Sequence, residues 1–223
     1  MSRVLAIGDI HAPCERNGYL EFCQDMYDAW SCDTVVFMGD VVDHHAISFH
    51  AMNPEAPGPK DEAKLTLKAI KKWYSVFPNA KVCLGNHDKR VVRLAASSKI
   101  TKFFLKSYSK TWETPNWEWG VKFTIDGVRY FHGEKCSGMH PAYNAARKRG
   151  QSVCIGHCHS RGGIKWLCND EKRWFGMDVG TGVDDDAWAF AYAEEQIEKS
   201  IVSCGIIIDG MPYHEMMPLE EYK

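Results

Sequence analysis

Residues with metal-binding side chains occur in five short blocks along the chain. The blocks are Gly8-Asp9-Ile10-His11, Gly39-Asp40-Val41-Val42-Asp43, Gly85-Asn86-His87-Asp88, His132-Gly133-Glu134 and Gly156-His157-Cys158-His159. Carboxylate, imidazole and amide groups are ligands of divalent cations in sites that retain water. Two such cations can acidify a bound water and hold the oxygens of a phosphate group. The blocks therefore predict a metal centre suited to the hydrolysis of phosphate esters.

Each block alone is a weak indication, because a short polar motif is more often a turn or a satisfied core histidine than a ligand. The combination is stronger, since all five blocks follow an apolar stretch typical of a buried β-strand. These stretches are residues 4–7, 34–38, 81–84, 128–131 and 152–155. Strand ends are where α/β proteins place ligands. We expect the five strands to bring their blocks to one edge.

The elements between these strands predict the fold class. Residues 15–30 and 61–77 have helical periodicity and separate the first three strands, and this alternation is typical of parallel βαβ units. Residues 121–132 read as a hairpin that turns at Asp126-Gly127. Strands over 163–167, 173–179 and 201–208 are expected to supply a second sheet, and residues 211–223 to pack irregularly. The residues alone predict a mixed, mostly parallel α/β fold.

The order and spacing of the blocks resemble those of the calcineurin-like metallophosphoesterases. That family has the pattern D-x-H, G-D-x-x-D, G-N-H-(D/E), H and G-H-x-H, and the resemblance extends from residue 4 to about residue 182. It implies an α/β fold that is a four-layer αββα sandwich, with two mixed β-sheets flanked by helices, in one domain over residues 1–223. It also implies a phosphoesterase for phosphodiesters, phosphomonoesters or both, of the nucleotide or nucleic-acid-end type, acting by direct attack of a metal-bridging hydroxide.

The resemblance assigns a role to each site residue. One divalent ion would be held by Asp9, His11 and His159, the other by Asn86, His132 and His157, and both by Asp40. Manganese is the first choice for both ions, with iron, nickel, cobalt and zinc as alternatives, because such O/N sites accept several metals. In catalysis, His87 would be the general acid, Asp43 would orient it, and Asn86, His87 and His44 would contact the substrate. Further candidate phosphate contacts are His45, His50, Arg90 and Arg161.

Departures from the family pattern bear on the substrate. His44 stands where the serine/threonine phosphatase branch has arginine, so a protein phosphatase is kept only as an alternative. A nuclease acting on single-stranded DNA or RNA ends is a second alternative. It rests on Lys99, Lys102, Lys106 and Lys110, which would share one face of a helix over residues 99–110. A non-catalytic metal-binding scaffold is the third.

Composition sets outer limits on partners. The formal net charge of -2 gives no general attraction to polyanions, so nucleic-acid binding would need a local basic patch. No apolar run long enough for a membrane and no secretory signal is seen, so we expect a cytoplasmic protein without a membrane partner; no obligate protein partner is evident. Nine cysteines without a C-x-x-C pair predict reduced thiols. Trp112, Trp117 and Trp119 are expected to cover a sheet edge or the core.

Overall fold

The computed structural model describes residues 2–49, 53–193 and 197–222. Its strands are β1 (Arg3–Ile7), β2 (Thr34–Phe37), β3 (Ala80–Cys83), β4 (Trp117–Gly120), β5 (Lys122–Ile125), β6 (Val128–Phe131), β7 (Val153–Ile155), β8 (Gly162–Cys168), β9 (Arg173–Val179), β10 (Ser203–Ile208) and β11 (Met211–Met216). Its α-helices are α1 (Tyr19–Ala29), α2 (Pro59–Val76), α3 (Arg90–Ser97), α4 (Tyr108–Thr111) and α5 (Pro141–Arg149). No described helix has both the length and the apolar character that crossing a bilayer requires.

The first sheet has the strand order β11-β10-β1-β2-β3-β4. Strands β1 to β4 run parallel to one another. On the other side of β1, β10 pairs antiparallel with β1, and β11 pairs antiparallel with β10. Successive β1 residues point to opposite faces, as in any strand. Leu5 and Ile7 therefore join the cluster of helices α1 and α2, whereas Val4 and Ala6 face the other sheet. Both faces of this sheet are covered, which explains why its strands read as continuous apolar runs.

The second sheet has the order β5-β6-β7-β9-β8. It packs on the first through a buried layer that includes Met38, Tyr130 and Met177. Helix α5 covers its outer face, and Gly176 of β9 permits that approach, since a Cβ there would lie 2.4 Å from the backbone of Ala142. The layers are thus α1 and α2, first sheet, second sheet, and α5. The predicted arrangement of two mixed sheets flanked by helices is confirmed.

Four sequence-based expectations about elements were wrong. Residues 211–216 form the edge strand β11 instead of packing irregularly, and residues 203–208 join the first sheet, so the C-terminal strands are divided between both sheets. Helix α1 begins at Tyr19 and not at residue 15, because Gly18 has a left-handed φ of 80° at its N-terminal cap. The other apolar stretches form strands within one residue or so of the expected limits.

The fourth error concerns the lysine-bearing segment 99–110, which is not one helix. A short 3₁₀ turn over Lys102–Phe104 ends at Leu105, which is extended, and the side chain of Ser107 then caps the separate helix α4. Serine accepts backbone hydrogen bonds readily and so favours a helix start over a helix interior. Lys99, Lys102, Lys106 and Lys110 therefore do not form a stripe on a single helix.

Two expectations about side chains were correct. Trp112 and Trp117 are buried, and Trp117 packs with Phe37 and Tyr74 in the core between the first sheet and its helices. All nine cysteines are free thiols.

Candidate metal centre

The five blocks meet at one end of the two sheets. Asp9 and Asp40 follow β1 and β2, and backbone groups of other blocks bind their carboxylates. The amide of His157 donates to Asp9 Oδ2 at 2.9 Å, and the amide of His87 donates to Asp40 Oδ1 at 2.8 Å. His132 follows β6, and its Nδ1 donates to Met38 O at 3.1 Å. The blocks are thus bound to one another as well as placed near one another.

Backbone conformation at the centre is unusual. His11, Asp40 and His157 have φ values of 45°, 45° and 73°. Residues other than glycine rarely adopt this left-handed region, and where it occurs at a site the surrounding contacts must hold it. Two glycines permit the close approach: a Cβ on Gly85 would lie 2.0 Å from Asp40 Oδ1, and one on Gly156 would lie 2.2 Å from Asp9 Oδ1. The two carboxylates are therefore packed directly against neighbouring backbone.

A first ligand group consists of Asp9, His11 and His159. One potential ligand atom from each lies within 4.8 Å of the others. His159 Nε2 is 3.3 Å from Asp9 Oδ2. Burial and the neighbouring His87 lower the pKa of His11, so its imidazole is neutral and has a free lone pair. These three residues are the set predicted for the first ion.

A second group consists of Asp40, His132 and His157, whose ligand atoms also lie within 4.8 Å of one another. His132 Nε2 is 3.2 Å from Asp40 Oδ2, 3.1 Å from His157 Nδ1 and 2.9 Å from Asn86 Oδ1. An amide oxygen, a carboxylate and two imidazole nitrogens therefore converge. This is the set predicted for the second ion, with Asp40 between the two groups, since it also lies 3.7 Å from His11 Nε2.

The unsatisfied atoms of the centre test whether cations fit it. Asp9 Oδ1 and His11 Nε2 are buried and have no hydrogen-bond partner. Leaving such groups unpaired costs about 1–3 kcal/mol each. Both atoms can donate an electron pair, so a bound divalent cation would satisfy both. The residues present fit a metal centre.

Electrostatics support the same conclusion. Burial opposes a charge on His132, but the carboxylates of Asp40 and Asp9 outweigh it and raise the pKa of this histidine to about 10. Burial likewise opposes ionisation of Asp40, yet His132 and His87 hold the pKa of its carboxyl well below the usual range. Without ions, a proton on His132 partly balances the carboxylates. Cation binding replaces that proton.

His87 and Asp43 form a pair at the edge of the ligand groups. His87 Nδ1 lies 3.1 Å from Asp43 Oδ1, and the same oxygen is 2.7 Å from His11 Nδ1. Burial opposes protonation of His87, but Asp40 and Asp43 outweigh it and raise the pKa of its imidazole. Its Nε2 is 3.1 Å from a guanidinium nitrogen of Arg90. His87 is also near enough to His11 and Asp40 to share their ligand cluster.

Sequence analysis gave no role to Asp88, although it lies within the third block. This buried carboxylate accepts hydrogen bonds from the amides of Gly85, Val41 and Val42 at 2.7, 3.1 and 3.2 Å. It therefore joins the turn after β3 to the turn after β2. Burial and the nearby charge of Asp40 raise its pKa to about 7. The signal was its position directly after Asn86-His87, in a block whose other polar residues all have roles.

The candidate phosphate contacts have different surroundings. His44 Nδ1 is engaged with His87 O at 3.1 Å, and Arg90 donates to the carbonyls of Asp43 and His44 at 2.8 and 3.0 Å. Arg161 pairs with Glu198 at 3.1 Å. His45 Nε2 accepts from Asn53 N at 3.2 Å. His50 lies outside the described residues.

The centre opens into a cavity of about 290 Å³. Its lining includes six predicted site residues: His11, Asp40, Asn86, His87, His157 and His159. The lining also includes Phe190, whose ring lies 5.3 Å from that of His11, and the charged residues Asp185, Glu198 and Lys199. The carboxylate of Asp185 accepts hydrogen bonds from the amide and the hydroxyl of Ser200, which also lines the cavity. The cavity has room for a phosphate ester beside the ligand groups.

Comparisons with known proteins gave the following similarities. Among solved structures, the chain is similar to Vps29 from Chaetomium thermophilum, with 9% identity, a TM-score of 0.48 and coverage of 97% of this chain and 96% of that one. It is similar to Yfce, a phosphoesterase from E. coli, with 13% identity, a TM-score of 0.45 and coverage of 99% and 95%. For the Pseudomonas putida nuclease MPE the values are 12%, 0.44, 94% and 86%.

A search of curated proteins found no significant match. A family model described as calcineurin-like phosphoesterase matches residues 2–175, a range that includes all five blocks. The chain therefore belongs to the calcineurin-like phosphoesterase family.

Proposed function

We propose that this chain hydrolyses phosphodiesters, phosphomonoesters or both at a centre of two divalent ions. Asp9, His11 and His159 would hold one ion, Asn86, His132 and His157 the other, and Asp40 both. The observation that carries the proposal is the pair of buried, unpartnered donor atoms, Asp9 Oδ1 and His11 Nε2, in the first ligand group beside an open cavity. Bound ions would acidify a water and neutralise phosphate charge.

His87 is the group placed to protonate the leaving oxygen. It lies in the wall of the cavity, its pKa is raised, and Asp43 holds Nδ1 at 3.1 Å, which fixes the ring and supports its positive charge. In the present geometry Arg90 donates to Nε2 at 3.1 Å. A phosphate oxygen entering the cavity would draw this guanidinium away from Nε2, since charge-assisted bonds to phosphate are the stronger ones. Nε2 would then be free to carry the proton.

His44 argues against the protein phosphatase alternative. Its imidazole has Nδ1 engaged with the carbonyl of His87, so at most one nitrogen remains for a phosphate oxygen. A bidentate grip on phosphate requires the planar fork of arginine. We therefore favour esters that the ions and Asn86 can bind without such a grip.

The test is turnover of p-nitrophenyl phosphate and its bis ester by protein loaded with manganese or with each alternative metal. His87→Asn should lower kcat by about 10²–10⁴-fold, the usual contribution of general acid catalysis, with metal content unchanged. His140→Asn is the matched control, because His140 makes no side-chain cap at helix α5 and lies outside both ligand groups. Metal-loaded wild-type protein that hydrolyses neither ester would overturn the proposal in favour of a scaffold.

A further inference from the structure

Charge is distributed unevenly around the mouth of the metal centre. Beyond Asn86 and His157, the described surface continues into a pocket that also contains Lys89, Arg93 and Lys135. Glu134 is the acidic residue of this pocket, and it is paired with Lys89 at 2.8 Å. The rest of the cavity lining includes Asp185, Glu198 and Lys199, and Glu198 is paired with Arg161 at 3.1 Å. Basic residues outnumber acidic ones in the pocket past Asn86 and His157, so an anionic substrate longer than one phosphate is expected to extend on that side.

The basic surface extends away from the centre as a cleft of about 490 Å³ between the hairpin β5–β6 and helix α5. Its basic lining residues are Lys89, Lys122, Arg129, Lys135, Lys148 and Arg149. Arg129 Nε is buried and has no hydrogen-bond partner, and the residue lines the cleft. Glu134 is the acidic residue in the described lining. We call this surface the basic cleft.

A second, apolar pocket of about 530 Å³ adjoins the basic cleft and shares Leu84, Lys89 and Val121 with it. Its wall includes the aromatic rings of Tyr108 and Trp112. Lys102 and Lys106 contribute to its rim. The pocket thus combines an apolar lining with cationic groups at its rim; the Trp112 ring is buried in its wall, and the Tyr108 ring stacks on Trp119.

Exposed aromatic residues lie next to this pocket in the chain. Phe103 and Phe104 are 86% and 73% exposed, although rings of this size are usually buried. Phe49 is 57% exposed and lies under the guanidinium of Arg93, 5.4 Å from the ring centre. Exposed rings interleaved with lysine and arginine are the surface that stacks nucleobases and binds a phosphate backbone.

We propose that the basic cleft and the apolar pocket bind a single-stranded nucleic acid whose scissile phosphodiester lies at the metal centre. Among the described residues of the three pockets, nine basic side chains face two acidic ones, Asp88 and Glu134, in a chain of net charge -2. Such concentration of charge matches repeated phosphates. The apolar pocket distinguishes a strand with bases from inorganic polyphosphate.

This inference rests on the proposed function and names its substrate class. In the reaction one water is consumed: its oxygen bonds to phosphorus, one P–O ester bond breaks, and the leaving oxygen takes a proton. The strand separates into a phosphomonoester and an alcohol. The strand continues from the Asn86 and His157 side, so at least one nucleotide beyond the scissile bond contacts Lys89, Arg93 or Lys135.

The test compares a cleft variant with a matched control. Arg129→Gln, Lys135→Gln and Lys148→Gln together remove three cleft cations. Lys60→Gln, Lys64→Gln and Lys68→Gln remove three exposed lysines at and after the start of helix α2, and none of them lines these pockets. Binding of a fluorescent 15-nucleotide strand is measured by anisotropy against salt concentration, with metal-loaded protein carrying His87→Asn to suppress turnover. Circular dichroism melting checks that each variant folds.

The cleft variant should bind at least tenfold more weakly at low salt. The slope of log K against log salt should fall by about 2, at about 0.7 per lost phosphate contact. The control variant should match its parent, and Lys135→Arg with Lys148→Arg should retain most of the affinity. Turnover is measured with the same cleft substitutions in protein that retains His87. Its kcat/KM for the oligonucleotide should fall at least tenfold further than its kcat/KM for bis-p-nitrophenyl phosphate.

Equal losses in the cleft and control variants, or equal competition by inorganic polyphosphate, would overturn the inference. So would tighter binding of a blunt duplex than of the strand, because paired bases cannot enter the apolar pocket. Any of these results with intact turnover of bis-p-nitrophenyl phosphate would leave the proposed phosphoesterase function standing. Loss of that turnover in the wild type would instead remove the proposed function itself.

Discussion

Gly85 offers a sharp perturbation of the metal centre without changing a ligand. A Cβ at this position would lie 2.0 Å from Asp40 Oδ1 and 2.4 Å from Asp40 N. Its φ is not in the left-handed region, so alanine strains no dihedral and acts only through this contact. Gly85→Ala therefore tests whether the close approach of two turns positions the carboxylate assigned to both ions.

The size of the effect follows from how little the neighbours can move. The contact to Asp40 Oδ1 must open by about 1 Å to reach the 3.0 Å below which real Cβ contacts hardly occur. Asp40 O accepts from His11 N at 2.9 Å, and Gly85 N is held by Asp88 at 2.7 Å, so neither turn retreats freely. Overpacking of this kind costs about 1–3 kcal/mol.

The same displacement should weaken metal binding. Metal–ligand distances tolerate only about 0.2 Å, so a carboxylate displaced by several times that distance loses its bond. We expect the protein's affinity for the more weakly held ion to fall about 100-fold. This is the upper end of the loss caused by removing a residue that orients a metal ligand. The measurements are urea unfolding of metal-free protein and competition against a chelating dye.

Gly58→Ala is the control for Gly85→Ala. Gly58 has a φ of -66° and nothing within 4 Å of an added Cβ. Alanine caps the start of helix α2 less well than glycine, but it also reduces the conformational freedom of the unfolded chain. These effects oppose each other, so the free energy of unfolding should change by less than about 1 kcal/mol. If Gly85→Ala equals the wild type in both stability and metal affinity, the turns do not position Asp40 as argued.

Three further predictions concern the same region and the sheet beneath it. Asp88→Asn replaces one acceptor by a donor facing a backbone amide, so urea unfolding should show a loss of about 1–3 kcal/mol. In metal-free protein, folding raises the pKa of His132 to about 10, so protonation of His132 stabilises the folded state fully below pH 6.5. This stability should be lost as the pH rises from 6.5 to 10, and chelator-treated protein should unfold more easily at pH 10. Metal-loaded protein should not follow this trend. Gly176→Ala places a Cβ 2.4 Å from the backbone of Ala142 and should lower Tm by several degrees in a calorimetric scan. Below the transition, metal-saturated Gly176→Ala protein should hydrolyse phosphate esters at the wild-type rate.

The first three strands and both long helices could be predicted because their physics is local. Buried parallel strands leave short apolar runs, and amphipathic helices leave a period of 3.6 residues. The ligand blocks follow from the same cause, since a strand end fixes where its next residues lie. The side chains predicted as ligands from the sequence do converge in the structure, in two groups that could each hold a cation, and their role as ligands stays a prediction.

The errors occurred where structure depends on distant partners. Strand β11 has no apolar alternation strong enough to identify it, and it exists because Met216 and its neighbours pair with β10 across the Asp209-Gly210 turn. The lysine spacing of residues 99–110 matched a helix, but caps at Thr101 and Ser107 decided the backbone. Likewise, the basic cleft combines residues from β5, β6, α5 and the loop after His132, and sequence order does not bring these together.

Asp43 shows most clearly what sequence spacing cannot supply. Its position after Asp40 predicted one partner, His87, but a single oxygen of its carboxylate serves two histidines, His11 at 2.7 Å and His87 at 3.1 Å. Burial and the charge of His87 lower the pKa of His11, whereas Asp40 and Asp43 overcome burial and raise the pKa of His87. One carboxylate thereby serves both the imidazole proposed as a metal ligand and the imidazole proposed as the general acid. The two proposed roles are linked through Asp43, so a change at Asp43 should alter both.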